Sequence, residues 1–120
     1  MDDLRIKRIY DPPDPSDGAR ILVDRIWPRG VSKDAAKLSE WLKAIAPSTS
    51  LRQWFHRDPT QWTEFGRRYR AELDANSAAV ERLRDFLKAG PVTLLYAARD
   101  RERNHAVVLA DYVAGGKERG

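Results

Sequence analysis

The sequence predicts a single α/β domain with a small, mainly parallel sheet of three or four strands, flanked by four or five helices in a Rossmann-like layering. Residues 21–26 begin as an unbroken apolar run and residues 92–97 are mostly apolar, which is typical of strands buried on both faces. The long stretch between them carries helical periodicity, and a helical crossover returns the chain to the same edge of a sheet. The two strands are therefore expected to be parallel and to lie at or near the centre of the sheet.

Composition favours one folded domain over residues 1–120, because 42% of the residues are hydrophobic and four are Trp. The chain has no Cys, a charged N-terminus and no apolar run of membrane-spanning length, so we expect a cytoplasmic protein with no membrane partner. Residues 115–120, rich in Gly, are expected to form a flexible tail. The net charge of +4 suits a small anionic ligand or nucleic acid as partner.

The first predicted strand covers residues 4–10, where apolar and basic side chains mix as in a half-exposed strand at or near a sheet edge. The Pro-rich residues 11–18 follow and are too few for an ordinary crossover helix, yet an extended Pro-rich link can run back along a short strand. The direction of this strand relative to the next therefore stays open. The second strand, within residues 19–27, is ended by Pro28 and Gly30.

Residues 38–45 fit two interpretations. Leu38, Trp41, Leu42 and Ile45 recur at helical spacing, whereas the alternation over residues 41–46 also suits a strand. Pro47 ends the element in either case.

Four helices are predicted in the rest of the chain, each from a capping residue and an apolar pattern. The capping residues are Ser50, Thr60, Ser77 and Asn104. The inward-facing stripes of the last three are Trp62, Phe65, Tyr69 and Leu73, then Val80, Leu83 and Leu87, then Ala106, Leu109 and Val113. The first stripe, flanked by Arg, also fits an aromatic and basic surface for single-stranded nucleic acid, but core packing is the commoner role for such a stripe.

Charged and polar side chains follow both central strands. They are Asp24, Arg25, Trp27 and Arg29 after the first strand and Tyr96, Arg99, Asp100, Asn104 and His105 after the second. Because the carboxyl ends of parallel strands meet at one edge of the sheet, where open α/β sheets bind ligands, we expect these groups to converge. The second group also opens a helix, whose N-terminus favours an anion.

The preferred hypothesis is an anion-binding site for a phosphate, a nucleotide or a nucleic-acid end. Arg25 and Arg29 would be the guanidinium forks, Trp27 the stacking plate and Asp24 the group that orients them. The full set of predicted ligand-binding residues is Asp24, Arg25, Trp27, Arg29, Arg99 and Asn104.

Three alternatives use the same residues differently. A small hydrolase or transferase would take Asp24 or Asp100 as base and His105 or Tyr96 as acid. A non-enzymatic interaction module would dock an acidic partner on its basic surface. In a purely structural interpretation, Asp24 pairs with a neighbouring arginine and Trp27 belongs to the core.

Neither a metal nor a cofactor is expected. Zinc needs three or four ligands at short spacings, and the chain has no Cys and two distant histidines, His56 and His105. Glycine fingerprints for a dinucleotide or a P-loop are also absent from the sequence. No sequence feature names the ligand or the oligomeric state.

Four spaced motifs carry a family resemblance. They are Asp17-Gly18-x-Arg20, Leu22-Val23-Asp24-Arg25-x-Trp27-Pro28-Arg29-Gly30, Ala46-Pro47-Ser48-x-x-Leu51-Arg52 and Leu94-Leu95-Tyr96-Ala97-Ala98-x-Asp100-x-x-x-Asn104-x-Ala106. In this order they resemble the bacterial, functionally uncharacterised YeaO-like branch of the DUF488 family, over nearly the whole chain. The resemblance implies a compact α/β fold with its characteristic groups at the strand ends. It also favours a strand over residues 38–45 and implies no substrate.

A longer branch of the same family carries an Asp-Val-Arg motif followed by Pro on one strand, and Cys-His-Arg at a later helix start. Asp24-Arg25 and Asn104-His105-Ala106 are similar to these motifs in position. Asn104 and Ala106 stand where that branch has Cys and Arg, so the resemblance does not extend to thiol chemistry.

Overall fold

A four-stranded, all-parallel sheet forms the centre of the fold. The structure is a computed structural model that describes residues 3–119, with side chains described as far as residue 114. The strands are β1 (Leu4–Arg8), β2 (Ala19–Leu22), β3 (Glu40–Trp41) and β4 (Val92–Tyr96), in the order β1-β4-β2-β3. The predicted α/β class is confirmed, with β2 and β4 as parallel neighbours at the centre. The first strand is parallel to the others and lies at an edge.

Five α-helices accompany the sheet in the described part of the chain. They are α1 (Lys33–Ala36), α2 (Thr49–Arg57), α3 (Trp62–Asp74), α4 (Ser77–Ala89) and α5 (His105–Arg119). The predicted flexible tail over residues 115–120 overlaps the last turns of α5. The side chains of residues 115–119 and the whole of residue 120 lie outside the described part, so the tail stays a prediction.

The two faces of the sheet are covered differently. Alternate residues of a strand point to opposite faces, and Ile21 and Leu94 face the main core built with α2 to α5. Leu22 and Leu95 face the other side, where they pack with Ala36 of α1. Each such side chain contributes about 1.5–3 kcal/mol on burial. The four longer helices therefore share one face of the sheet.

The link between β1 and β2 crosses the second face without an α-helix. It contains one turn of 3-10 helix, Pro15–Asp17, and ends at Gly18, whose φ of +67° favours glycine. A Cβ at Gly18 would collide with the carbonyl of Pro91, which accepts a hydrogen bond from the amide of Ala19 at 2.9 Å. This close approach helps a link of only ten residues, 9–18, to make the parallel connection.

The second strand is shorter than predicted. β2 ends at Leu22, and the amide of Val23 makes one further bond to the carbonyl of Leu95 at 3.0 Å. The next amide along the neighbouring segment is that of Ala97, and it donates to the Asp24 carboxylate instead of a strand carbonyl. The chain therefore leaves the sheet after Val23. The expectation of a buried strand through residue 26 is wrong, since Ile26 is 62% exposed.

Residues 38–45 form a strand and then a 3-10 turn, so the helical interpretation is wrong and the strand implied by the family resemblance is confirmed in part. β3 has two residues and is followed by the turn Lys43–Ile45. Two side chains hold this path. The indole Nε1 of Trp41 donates to the carbonyl of Asp24 at 2.7 Å, and the hydroxyl of Tyr69 donates to the carbonyl of Ile45 at 2.6 Å.

Helix starts differ from the predicted caps at three of four positions. The N-cap of α2 is Ser48 and not Ser50, because Ser48 also donates to Glu72 of α3 at 2.6 Å. Helices α3 and α4 start after Gln61 and Asn76, and neither has a side-chain cap bond. The predicted cap Asn104 is confirmed by its bond from the amide of Val107 at 3.2 Å.

The apolar stripes of these helices are confirmed as core. Phe65, Tyr69 and Leu73 of α3 are buried, with Trp62 partly buried against them. The inward residues of the last two helices that are buried include Val80, Leu83, Ala106, Leu109 and Val113. The aromatic stripe is thus not available as a nucleic-acid surface.

A basic cleft at the carboxyl ends of the central strands

A cleft of about 950 Å³ lies where β2 and β4 end, between α2 and the loop before α5. Its charged and imidazole-bearing lining residues are Asp24, Arg25, Arg52, His56, Arg99, Asp100, Arg103 and His105. Four guanidiniums therefore face two carboxylates, and the cleft has an excess of positive charge.

Asp24 joins the ends of the two central strands. Its Oδ2 accepts the backbone amide of Ala97 at 3.1 Å, and its Oδ1 lies 3.0 Å from Nε2 of His105. The side chain is 15% exposed. Oδ2 is therefore hydrogen-bonded, whereas Oδ1 is buried beside the imidazole without a hydrogen bond among the described residues, and neither oxygen contacts the arginine that the structural interpretation expected.

His105, the first residue of α5, is held as a hydrogen-bond donor. Its Nε2 lies 3.0 Å from the carbonyl of Val23 as well as 3.0 Å from Asp24 Oδ1. A carbonyl oxygen can only accept, so the ring carries its hydrogen on Nε2 and donates it to Val23. The edge of the imidazole packs on Tyr69, with ring centroids 6.3 Å apart.

Arg25 is also tied to the scaffold. Its Nε donates to the carbonyl of Pro47 at 3.2 Å and its Nη2 to the carbonyl of Ala46 at 3.0 Å. These bonds clamp the segment after β2 to the segment before α2. Arg25 lines the cleft, but two of its three guanidinium nitrogens serve the fold.

The loop between β4 and α5 is built around Asp100 and Asn104. Asp100 Oδ1 accepts the amides of Arg103 at 3.0 Å and Glu102 at 2.9 Å, and these bonds lower the pKa of Asp100. Asn104 donates from Nδ2 to the carbonyl of Asp100 at 2.9 Å. The loop is thus closed by its own polar groups and carries Arg99 and Arg103 into the lining of the cleft.

Three residues predicted at this site do not line the cleft. Trp27 packs edge-on against Trp41, with centroids 5.3 Å apart, and donates to the carbonyl of Val31 at 2.7 Å on the other face of the sheet. Arg29 is exposed, one residue before the turn at Gly30. Tyr96 is buried, and burial raises the pKa of its phenol.

Sequence reasoning missed the contribution of α2. Arg52, Phe55 and His56 stand at i, i+3 and i+4 and all line the cleft. That spacing was the available signal, but nothing in the sequence places this helix beside the strand ends. The side chains of Arg52 and Arg99 have no hydrogen-bond or ion-pair partner among residues 3–114.

The described residues contain neither a metal-binding cluster nor a membrane-spanning helix. No cluster of three or more His, Asp or Glu side chains that could hold a metal ion occurs among them. Among the helices of residues 3–119, none has the length and apolar character needed to cross a membrane.

The fold and the cleft define a class of small α/β proteins with an all-parallel sheet and a basic cleft at its carboxyl edge. The chain belongs to the DUF488 family, since residues 3–119 match the family model described as the inactive DUF488-N3 subclade. The family resemblance expected from the four motifs is confirmed.

Relatives in two bacterial groups cover almost the same length. The chain is 48% identical over 110 residues to the uncharacterized protein YeaO of Escherichia coli K12, which is 92% of this chain and 96% of that protein. It is 45% identical over 112 residues to uncharacterized proteins of Mycobacterium bovis and Mycobacterium tuberculosis, which is 93% of this chain and 94% of theirs. No solved structure matches the chain.

Proposed function

We propose that the cleft binds a small anion, a phosphate group above all, without catalysing a reaction on it. The proposal rests on which charged side chains of the cleft already have partners within the protein and which do not. Asp24 and Asp100 are engaged by the scaffold, whereas Arg52 and Arg99 line the same cleft with no partner in the described residues. Together with Arg103, these guanidiniums are the proposed anion ligands.

Physical chemistry favours a phosphate in this position. A guanidinium presents paired donors that match phosphate oxygens. Helix α5 begins at the same edge, and the first amides and positive dipole end of a helix add to the attraction for an anion. Intracellular phosphate compounds are the proposed source of the ligand, so a cytoplasmic location belongs to the proposal.

The remaining arginines support a local site over an extended nucleic-acid or protein-docking surface. Most of those on the outer faces of the helices and loops are already paired with carboxylates. These pairs are Arg67 and Arg68 with Glu64, Arg70 with Asp111, Arg82 with Glu40, and Arg101 with Asp11. Arg52, Arg99 and Arg103 are not among these pairs, and all three line one concave site, which suits a small ligand.

A hydrolase or transferase is the weaker candidate. Asp24 and His105 both line the cleft, as an acid–base pair would have to, but Nε2 of His105 is hydrogen-bonded to the carbonyl of Val23. Tyr96, the other predicted acid, is buried outside the cleft. The description of the matching subclade as inactive also favours binding over catalysis.

Calorimetric titration of the full chain with inorganic phosphate tests the proposal. Arg99→Ala and Arg103→Ala should each weaken binding by roughly tenfold or more, because a hydrogen bond to a charged group contributes about 1.5–3 kcal/mol. The matched control is Arg29→Ala, an exposed arginine outside the cleft, which should bind as the wild type does. Equal losses in all three variants, or no binding by the wild type, would refute the proposal.

A further inference from the structure

We infer that the ligand of this cleft is a phosphate monoester whose organic part is a flat aromatic ring system, of which a nucleoside monophosphate is the simplest probe. The inference rests on the proposed function and adds the chemistry of the rest of the ligand. It comes from the part of the cleft that a bare phosphate would leave empty.

The size of the cleft exceeds what an inorganic anion needs. Its volume of about 950 Å³ lies near the upper end of the range of roughly 300–1,000 Å³ for sites that enclose drug-sized ligands. Arg99 and Arg103 occupy the loop that follows β4. A phosphate held there leaves most of the cleft to the organic part of a ligand.

The rest of the lining is apolar and partly aromatic. Ile26, Pro47, Phe55 and Pro59 contribute to it. Among the described residues, Ile26 is one of only two large apolar side chains that are exposed, so the mouth of the cleft carries uncovered hydrophobic surface. Such surface is stabilised when an apolar group of a ligand covers it.

An aromatic ligand is favoured by the arrangement of the phenylalanines. Phe55 and Phe65 are stacked with their ring centroids 4.4 Å apart and their planes 25° apart. Phe65 is 2% exposed, whereas Phe55 is only partly buried, and both line the cleft. Phe55 is the outer ring of the pair, and a ligand ring that packs against it extends an aromatic cluster already present.

Helix α2 presents both a cation for the anionic group and an aromatic side chain for the ring of the ligand. Arg52 precedes Phe55 by three residues and His56 by four, which places a cation, a phenyl ring and an imidazole on one face of the helix. A ligand that joins an anionic group to a flat ring contacts this face twice, with its anion near Arg52 and its ring against Phe55. Inorganic phosphate uses only the charged part, and an alkyl phosphate gains burial but no ring stacking.

Four ligands distinguish these cases in calorimetric titrations of the full chain: adenosine monophosphate, ribose 5-phosphate, hexyl phosphate and inorganic phosphate. Adenosine monophosphate should bind at least about tenfold more tightly than ribose 5-phosphate, since stacking of a base on an aromatic side chain is worth about this factor or more. Phe55→Leu should remove most of that advantage and leave the affinity for ribose 5-phosphate within about twofold. Phe86→Leu, a partly buried phenylalanine of α4 away from the cleft, should keep the advantage.

Ile26→Ser is a second variant that does not depend on core packing, because Ile26 is exposed. It should weaken adenosine monophosphate severalfold and leave inorganic phosphate unchanged. Equal affinities of the wild type for adenosine monophosphate and ribose 5-phosphate would overturn the inference while the anion site stands. Hexyl phosphate binding as tightly as adenosine monophosphate would overturn it as well, and failure of all four ligands would overturn the anion site itself.

Discussion

The protein contains two clusters of aspartate and arginine, one closed and one open. The closed cluster lies on the second face of the sheet, where Asp17 is 3% exposed and Arg20 is 5% exposed. Lys7 Nζ and Arg20 Nη1 reach the two Asp17 oxygens at 3.0 and 2.6 Å. The open cluster lines the cleft, where Arg52 and Arg99 have no partner in the described part of the chain.

The difference shows in what each carboxylate does. Burial strongly opposes ionisation of Asp17, but hydrogen bonds from Lys7, from the amide of Asp14 and from Arg20 outweigh it, so the pKa of Asp17 is lowered. Asp17 thus neutralises the cations around it. Asp24 instead accepts a backbone amide, lies beside the imidazole of His105 and forms an ion pair with none of the cleft arginines. Cations outnumber carboxylates two to one in both clusters, and pairing decides which one is left to bind a ligand.

Asp17→Ala is expected to have the largest effect on stability. Removing one partner of a buried ion pair leaves Arg20 as an uncompensated buried charge, at a cost of about 3–5 kcal/mol. Urea unfolding measures the change. Asp34→Ala, an exposed carboxylate of α1, is the control and should stay within about 0.5–1 kcal/mol of the wild type. A loss for Asp17→Ala no larger than the control's would mean that the closed cluster is not structural.

Asp24→Ala should have an intermediate effect. It removes the acceptor of the Ala97 amide and the partner of His105, which we expect to cost about 2–3 kcal/mol, the range for hydrogen bonds to a charged group. The folded fraction should still bind phosphate as tightly as the wild type, because Asp24 holds the strand ends and not the ligand. Urea unfolding and phosphate titration of the same sample give both values. Lost affinity with unchanged stability would instead make Asp24 a binding residue.

A smaller effect is expected in how the free energy of unfolding falls at acid pH. The folded pKa of Asp17 is lowered from 3.8, so the unfolded chain binds a proton at this site more readily than the folded chain does. Its contribution to stability is present above about pH 4 and is lost as the pH falls through the lowered folded pKa. Asp17→Asn should therefore lose less stability than the wild type between pH 4 and pH 2. Parallel curves from urea unfolding at several pH values would refute this assignment.

The sequence predicted the sheet better than the site. Apolar runs report burial directly, so β2 and β4 and their parallel pairing followed from residues 21–26 and 92–97. The end of β2 did not, because it depends on the Asp24 carboxylate meeting the amide of Ala97, a contact between residues 73 positions apart. The same holds for residues 38–45, whose path is set by Trp41 and Tyr69 bonds to distant carbonyls.

The residues predicted for the site come together only in part. Asp24, Arg25, Arg99 and His105 converge because they follow parallel strands, which topology alone dictates. Trp27 was assigned to the cleft from its position after the strand, but once the chain leaves the sheet at Asp24, its side chain packs on the opposite face. Arg52 was missed because the docking of α2 beside the strand ends depends on tertiary contacts that no local pattern encodes.

The double variant Arg52→Ala/Arg99→Ala tests most directly whether these cleft arginines bind an anion and are dispensable for the fold. Unfolding of this double variant and the wild type in urea, each with and without a saturating concentration of inorganic phosphate, separates stability from binding. Without phosphate, the two proteins should agree within about 0.5 kcal/mol, because the removed side chains have no partners to lose. Phosphate should stabilise the wild type by mass action and the double variant much less, since only Arg103 remains of the three proposed ligands. Equal stabilisation of both proteins by phosphate, or a loss of several kcal/mol in the variant without it, would contradict the account.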